Sequence, residues 1–224
     1  MCTVSIVPRD DGFRLLCNRD ELLSRPPAIP PRWGTMDGVY VAYPVDPQGL
    51  GSWIAVSEEG LAVAVMNRGP RAPEQRRSRG EIPLMLIGAE SLAAVQRRLR
   101  CVNPPDYPGF VVVAAWFDRL LVGASNGHRL SILERPLTHP VMFTSSSIGD
   151  AEAEQIRLPL FQSMVVEHPT RLAGQRAFHD HQWTDRPEFS VRMRRPDACT
   201  VSRTRIDVRG NRVALDYEPL ARVS

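Results

Sequence analysis

Apolar positions fall first into two short runs separated by a polar turn. Val4, Ile6 and Val7 precede Arg9-Asp10-Asp11-Gly12, and Phe13 to Cys17 follow it. This pattern predicts a β-hairpin over 2–7 and 13–18. The stretch from Ser24 to Gly34 holds four prolines and reads as an extended, partly polyproline loop. A short strand over 39–43 comes next. A second hairpin runs from Gly49 to Val56 and back from Leu61 to Met66, around a turn at Glu58-Glu59-Gly60. Residues 68–80 are rich in arginine and read as a solvated loop. Helical spacing of Leu84, Ile87, Leu92, Val95 and Leu99 predicts helices over 81–88 and 90–100, with Ser91 as a cap. Asn103-Pro104-Pro105 stops the second helix.

Residues 109–143 read as a β-meander with an Asn126-Gly127 hairpin turn. The unbroken run Val111-Val112-Val113-Ala114-Ala115 predicts a strand covered on both faces. Residues 150–166 carry a stripe of Ile156, Leu160 and Met164, with Phe161 beside it and Pro159 as a kink. Residues 167–187 are polar and show no period. Strands are expected at 188–193, 200–208 and 212–217. Runs of strands, then helices, then strands predict an α+β fold with antiparallel sheets, in a single domain over 1–224.

Composition narrows the function classes. The 224 residues are 43% hydrophobic and 24% charged, with a net charge of +3. That balance does not point to nucleic acid. No apolar run reaches the roughly 20 residues of a membrane span, and the start of the chain does not read as a signal peptide. Cys2, Cys17, Cys101 and Cys199 lack paired metal-type spacing. Reduced thiols and a cytoplasmic location are expected.

The first hairpin also carries candidate chemistry. A turn centred between Asp10 and Gly12 sets Cys2 opposite Arg19 to Glu21. Removal of Met1 would give Cys2 a free thiol and a free α-amine on one carbon. The amine titrates at about 7.7–8.0 and the thiol at about 8.5, so the amine can serve as general base. Arg19 would stabilise a thiolate or an acyl carbonyl, and Asp20 would orient the amine. On this reading the fold is that of an N-terminal nucleophile hydrolase. The plainer reading makes Cys2 a small residue at the start of a buried strand. A turn at Glu59-Gly60 sets Asn67 opposite Ser52, where its amide could donate to an oxyanion beside Gly51. Asn67 could equally just end its strand.

Other clusters carry less. His179-Asp180-His181 could present two imidazoles that, with Asp185 or Cys199, bind a metal or support haem; a His-x-His pair alone reads rather as a polar surface loop, and no metal is expected. Arg71, Arg76, Arg77 and Arg79 could contact an anionic substrate or a lipid head group, but the stretch reads rather as a solvated loop. Trp33, Trp53 and Trp116 read as core or pocket aromatics. The glycines at 34, 38, 49 and 51 do not form a phosphate loop.

Several separate motifs then agree. Met1-Cys2-Thr3-Val4, Cys17-Asn18-Arg19-Asp20-Glu21, Ser24-Arg25-Pro26, Gly51-Ser52-Trp53-Ile54-Ala55-Val56, Gly60, Asn67 and Ser78-Arg79-Gly80-Glu81 occur in order over the first 90 residues. In these the chain resembles the NRDE family, the transport and Golgi organisation protein 2 family. The resemblance implies a four-layer αββα sandwich of the N-terminal nucleophile hydrolase type. It also implies kinship with penicillin V acylases and bile salt hydrolases. Residues similar to that branch's catalytic set are Cys2, Arg19, Asp20 and Asn67. Asn18, Glu21, Gly51, Trp53, Ser146, Ser202 and Arg203 are the candidate substrate contacts. Where that branch has a mid-chain Asn, this chain has Thr144-Ser145-Ser146-Ser147. Where it has a late Arg, Arg203 follows Thr200-Val201-Ser202.

The implied activity is attack by Cys2 on a non-peptide amide C–N or acyl bond of a small molecule, with no cofactor required. The alternative is a binding or transfer protein for haem or an acyl lipid on the same fold. A role as a secretory-pathway partner ranks last, since no partner-binding helix is evident.

Overall fold

The structure is a computed structural model, described here for residues 2–69 and 77–221. Two antiparallel sheets stack face to face. The first has five strands in the order β10-β1-β2-β11-β12. These are β1 (Cys2–Arg9), β2 (Gly12–Leu22), β10 (Val141–Thr144), β11 (Ala198–Arg209) and β12 (Arg212–Pro219). The second has seven strands in sequence order: β3 (Ile29–Met36), β4 (Val39–Val45), β5 (Ile54–Ser57), β6 (Ala62–Asn67), β7 (Phe110–Trp116), β8 (Arg119–Ser125) and β9 (Leu130–Pro136). Helices α1 (Glu81–Ile87) and α2 (Leu92–Arg100) cover the outer face of the second sheet. Helices α3 (Asp150–Phe161) and α4 (Arg171–Asp180) cover the first. The result is the αββα sandwich. No helix among the described residues is long and apolar enough to cross a membrane.

Strand alternation sorts the side chains into three cores. Val4, Ile6, Phe13, Leu15 and Cys17 of the first sheet meet Ile54, Ala64, Met66 and Val113 of the second between the sheets. Val63, Val65, Val112 and Ala114 point the other way, onto α1 and α2. Both faces of β6 and β7 are therefore covered, which is why their apolar runs are continuous. Ser91 caps α2, its Oγ accepting from Ala94 N at 3.0 Å.

The structure differs from the sequence pattern in four places. The proline-rich stretch is largely an edge strand, β3, paired with β4 on one side. Its register slips between Ile29 and Arg32, where Pro30 and Pro31 have no N–H to donate. β10 does not extend the meander but crosses to the first sheet and pairs with β1. The polar stretch 167–187 contains α4, and the expected strand over 188–193 is a 3₁₀ turn (Pro187–Phe189) followed by a lone bridge from Arg194 to Cys199. The buried stripe of α3 and the π turn after it is Ala153, Arg157, Phe161 and Val165. Ile156, Leu160 and Met164 lie only at its flank. Arg71 and Arg76 of the basic stretch lie outside the described residues.

Candidate active site

β1 and β2 pair with Cys2 opposite Arg19, Thr3 opposite Asn18 and Val4 opposite Cys17. Cross-strand partners share a face, so Cys2, Cys17 and Arg19 all turn toward the second sheet. Ser202 is the partner of Arg19 on the other side, on β11. One row across three strands therefore reads Cys2, Arg19, Ser202. A bulge between Thr200 and Ser202 sets this register.

Cys2 is 5% exposed and packs in the inter-sheet core with Trp53 and Met66. Its backbone N donates to Ser145 Oγ at 3.2 Å, and Ser145 N donates back to Cys2 O at 3.0 Å. The hydrogen bond from the Cys17 thiol draws the Cys2 thiol below its ordinary value, against burial, and Arg19 acts in the same direction. The same bond, with burial, pushes Cys17 well above its ordinary value. Of the two sulfurs, Cys2 is thus the one favoured to ionise.

Arg19 spreads its guanidinium over the Trp53 ring, 4.2 Å from the centroid. It also pairs with Glu21 at 3.2 Å and Asp46 at 3.3 Å. Arg25 shares both carboxylates, reaching Asp46 at 2.5 Å and Glu21 at 3.6 Å. Burial raises Asp46, but the Arg25 hydrogen bond and charge outweigh it and hold the carboxyl below its ordinary value. Asp46 and Arg25 were not among the sequence candidates. Asp46 sits in an ordinary Asp-Pro turn signal, and nothing in the local pattern ties it to Arg19.

Asp20 has the opposite parity and lies on the helix side of the first sheet, accepting from Thr200 Oγ1 at 2.6 Å. Thr200 Oγ1 in turn accepts from Met193 N at 2.8 Å. Burial raises the Asp20 carboxyl above its ordinary value, with the Arg157 charge working against that shift. Arg157 is 1% exposed. It donates to Thr3 Oγ1, Thr144 Oγ1, Phe189 O and Ser190 O at 2.5–2.9 Å. Asn18 belongs to the same buried layer, donating to His179 O at 2.8 Å and Val191 O at 3.0 Å. Asn18 therefore braces the sheet against α4 and does not face the Cys2 side.

The remaining sequence candidates divide. Glu21 and Trp53 join the Arg19 cluster. Gly51 serves backbone contact: a Cβ there would come 2.5 Å from Gly80 C, and Ser52 N donates to Gly80 O at 2.9 Å. Asn67 does not meet Ser52. The second hairpin pairs Ile54 with Ala64, and Val65 N donates to Trp53 O, so its register continues to set Ser52 against Met66. That one-residue slip changes the face. Asn67 pairs with Phe110 and has the parity of Val63 and Val65, toward the α1–α2 side, at the same end of the sandwich as Trp53. Ser146 closes the turn before α3, its N donating to Asp150 Oδ1 at 2.7 Å. Its neighbour Ser145 is the serine that touches Cys2. Ser202 Oγ is buried without a hydrogen-bond partner among the described residues, as is Trp53 Nε1. Arg203 faces away, paired with Asp180 at 2.5 Å and Glu218 at 2.7 Å.

Arg79 corrects the reading of the basic stretch as wholly solvated. It is half-buried, with Nη1 donating to Gly109 O at 3.0 Å. Burial lowers its pKa, and the negative charges of Cys2 and Glu21 act against that shift. His179 is not on a surface loop but enclosed in α4, with Nε2 2.7 Å from Ser5 Oγ. Burial, aided by Arg203 and Arg157, lowers its pKa to about 3. The described residues contain no cluster of three or more metal-type side chains. Of the tryptophans, Trp33 stacks on Tyr40, Trp116 on Phe117 and Trp183 packs against His181, which leaves Trp53 as the tryptophan of the site.

Comparison with known proteins agrees with this architecture. A Caenorhabditis elegans N-acylethanolamine-hydrolyzing acid amidase (NAAA) ortholog superposes with a TM-score of 0.59, covering 92% of each chain at 11% identity. At that identity the likeness is one of fold, the N-terminal nucleophile hydrolase-like αββα sandwich. A search of curated proteins by sequence gives no match. The model of the family described as Transport and Golgi organisation 2 matches residues 1–155, which include β1, β2 and the whole Arg19 cluster. The chain belongs to the Transport and Golgi organisation 2 family.

Proposed function

We propose that the protein is an N-terminal-cysteine hydrolase that cleaves a non-peptide amide or related acyl bond of a small molecule after Met1 is removed. The observation that carries this reading is the lowered Cys2 thiol at the start of β1, in register with Arg19 and bonded through its own N to Ser145. In the processed chain that N is the α-amine. It takes the thiol proton, and the thiolate attacks the substrate carbonyl. The protonated amine then gives its proton to the leaving group, breaking the C–N bond and leaving a thioester on Cys2. Water, deprotonated by the α-amine, hydrolyses the thioester and restores the thiol. Ser145 Oγ holds the amine throughout, and Arg19 favours the negative charge on sulfur and on the carbonyl oxygen. Asp20 acts from the far face through the field at the end of β1. Trp53 Nε1 and Ser202 Oγ, two of the buried polar atoms that lack a partner among the described residues, are natural contacts for a bound carbonyl or amide. The test is turnover of a panel of N-acyl amides and anilides by wild type and by Cys2→Ala. Loss of turnover in the variant supports the reading; unchanged turnover overturns it.

One observation favours a second reading, binding without turnover. Asn67 has the parity of the outer face, and Thr144-Ser145-Ser146-Ser147 stands where the hydrolase branch has its second Asn, so neither expected amide donor is set beside Cys2. An acyl lipid or haem would then occupy the inter-sheet end. His179 is enclosed beneath α4 on the other side of the first sheet and is not offered to a haem there. Spectral titration with haem and displacement of a fluorescent fatty acid test this reading. Saturable binding that persists in Cys2→Ala supports it.

A further inference from the structure

Arg79 differs from the other guanidinium groups at this end of the sandwich. Arg19 and Arg25 are both committed to Glu21 and Asp46. No carboxylate among the described residues pairs with Arg79; its Nη1 donates to Gly109 O. The side chain is nevertheless fixed at both ends. Its backbone is anchored because Gly80 lies flat against Gly51 and accepts from Ser52 N. Its tip is anchored because Gly109 O, which also accepts from Arg68 N at 2.9 Å, lies beside the Asn67–Phe110 pair at the end of β6. Between those anchors the guanidinium spans the end of the second sheet. Trp53, the residue after Ser52, carries Arg19 on its ring and packs with Cys2.

A guanidinium has five N–H donors, and this one spends one of them on a carbonyl. Leaving a half-buried cation without a counter-charge costs stability, and Arg is the side chain best shaped for bidentate capture of a carboxylate or phosphate. Gly80, the next residue, packs on Gly51 and Ser52, and the neighbouring Trp53 packs with Cys2, so Arg79 and the nucleophile share this end of the sandwich. We propose that Arg79 anchors an anionic group of the ligand, a carboxylate or a phosphate, so that the Cys2 site selects small molecules carrying a negative charge beside the amide or acyl bond. This inference rests on the Cys2 site proposed above as the ligand site, but not on that site's turnover.

The test separates the two. Cys2→Ala protein is titrated calorimetrically with three matched anilides: a glutaryl anilide, its terminal carboxamide isostere, and its phosphonate counterpart. The carboxylate or the phosphonate, or both, should bind at least about tenfold tighter than the neutral amide, the scale of one charged hydrogen-bonded pair. Which of the two binds tighter identifies the anion. In Cys2→Ala/Arg79→Gln the preference should vanish while the neutral member's affinity stays unchanged. A purely structural role for Arg79 would weaken all three alike and overturns the proposal. So does equal binding of charged and neutral members, or a preference that survives the substitution. If the Gln variant does not fold, Arg79→Lys decides. It keeps the charge but loses the bidentate fork, so the preference should fall several-fold, and an unchanged preference overturns the proposal. Anion preference without turnover in the wild type would leave this inference standing and remove the hydrolase reading; turnover without preference would do the reverse.

Discussion

Cys17 stands one diagonal step from Cys2 on the inward face of the first sheet, because β1 and β2 pair Cys2 with Arg19 and Val4 with Cys17. Both thiols are buried, and a hydrogen bond between them lowers one and raises the other. Cys17 thus acts as a donor that keeps Cys2 ready to ionise, in a place where burial alone would suppress the thiolate. Cys17→Ala removes that donor at small cost in volume. Alkylation of Cys2 by iodoacetamide at neutral pH should slow by roughly threefold to tenfold, and its pH profile should move upward. Exposed Cys101 serves as the internal reference. An unmoved profile would remove Cys17 from the site.

Arg157 holds together β1, β10 and the turn at Pro187–Phe189, and its charge faces that of Asp20. Arg157→Met would remove four buried hydrogen bonds, to the carbonyl oxygens of Phe189 and Ser190 and to the hydroxyls of Thr3 and Thr144. A stability loss of about 3–5 kcal/mol is expected in urea unfolding, because each buried acceptor left unsatisfied costs about 1–3 kcal/mol. A loss under about 1 kcal/mol would mean that water or neighbouring donors take its place.

His179 sets a pH dependence. Its folded pKa is about 3, against about 6.5 in an unfolded chain. Below 6.5 the unfolded state binds a proton that the native state does not, so this contribution to stability is complete above 6.5 and is lost as pH falls toward 3. The slope is about 1.4 kcal/mol per pH unit. Asp20 works in the opposite sense: its raised carboxyl favours the native state as pH falls through its folded value. Urea unfolding at pH 7 and pH 4 should show wild type losing about 3 kcal/mol more than His179→Gln. Parallel losses would contradict the buried neutral imidazole.

What the sequence made legible follows the periodicities. The register of the first hairpin could be counted from its turn, because alternation and a polar Asp-Gly turn fix it within a residue. The second turn leaves the register open by one residue, and for a strand one residue is the difference between faces, so Met66 and not Asn67 comes opposite Ser52. The α3–α4 layer was harder to see because its buried positions are polar. Arg157 interrupts the stripe of α3, and α4 buries Gly174, Gln175 and His179 alongside Phe178. Gly174 is there because a Cβ would strike Met164 O of the π turn. A hydrophobic period cannot report a helix that packs through hydrogen bonds. Arg79 was hidden for a related reason: arginines in a polar stretch read as solvated, and its anchoring comes from Gly51 and Gly109, which are distant in sequence. Ser145 and Ser146 are indistinguishable until β10 is seen to pair with β1.

The most direct measurement is intact mass, followed by peptide mapping, of the purified protein before and after exposure to a slowly deacylating aryl ester. The account expects a chain that begins at Cys2, one acyl adduct on Cys2, and no adduct in Cys2→Ala. A chain that keeps Met1, or an adduct at any other residue, would contradict the claim that Cys2 is an N-terminal nucleophile.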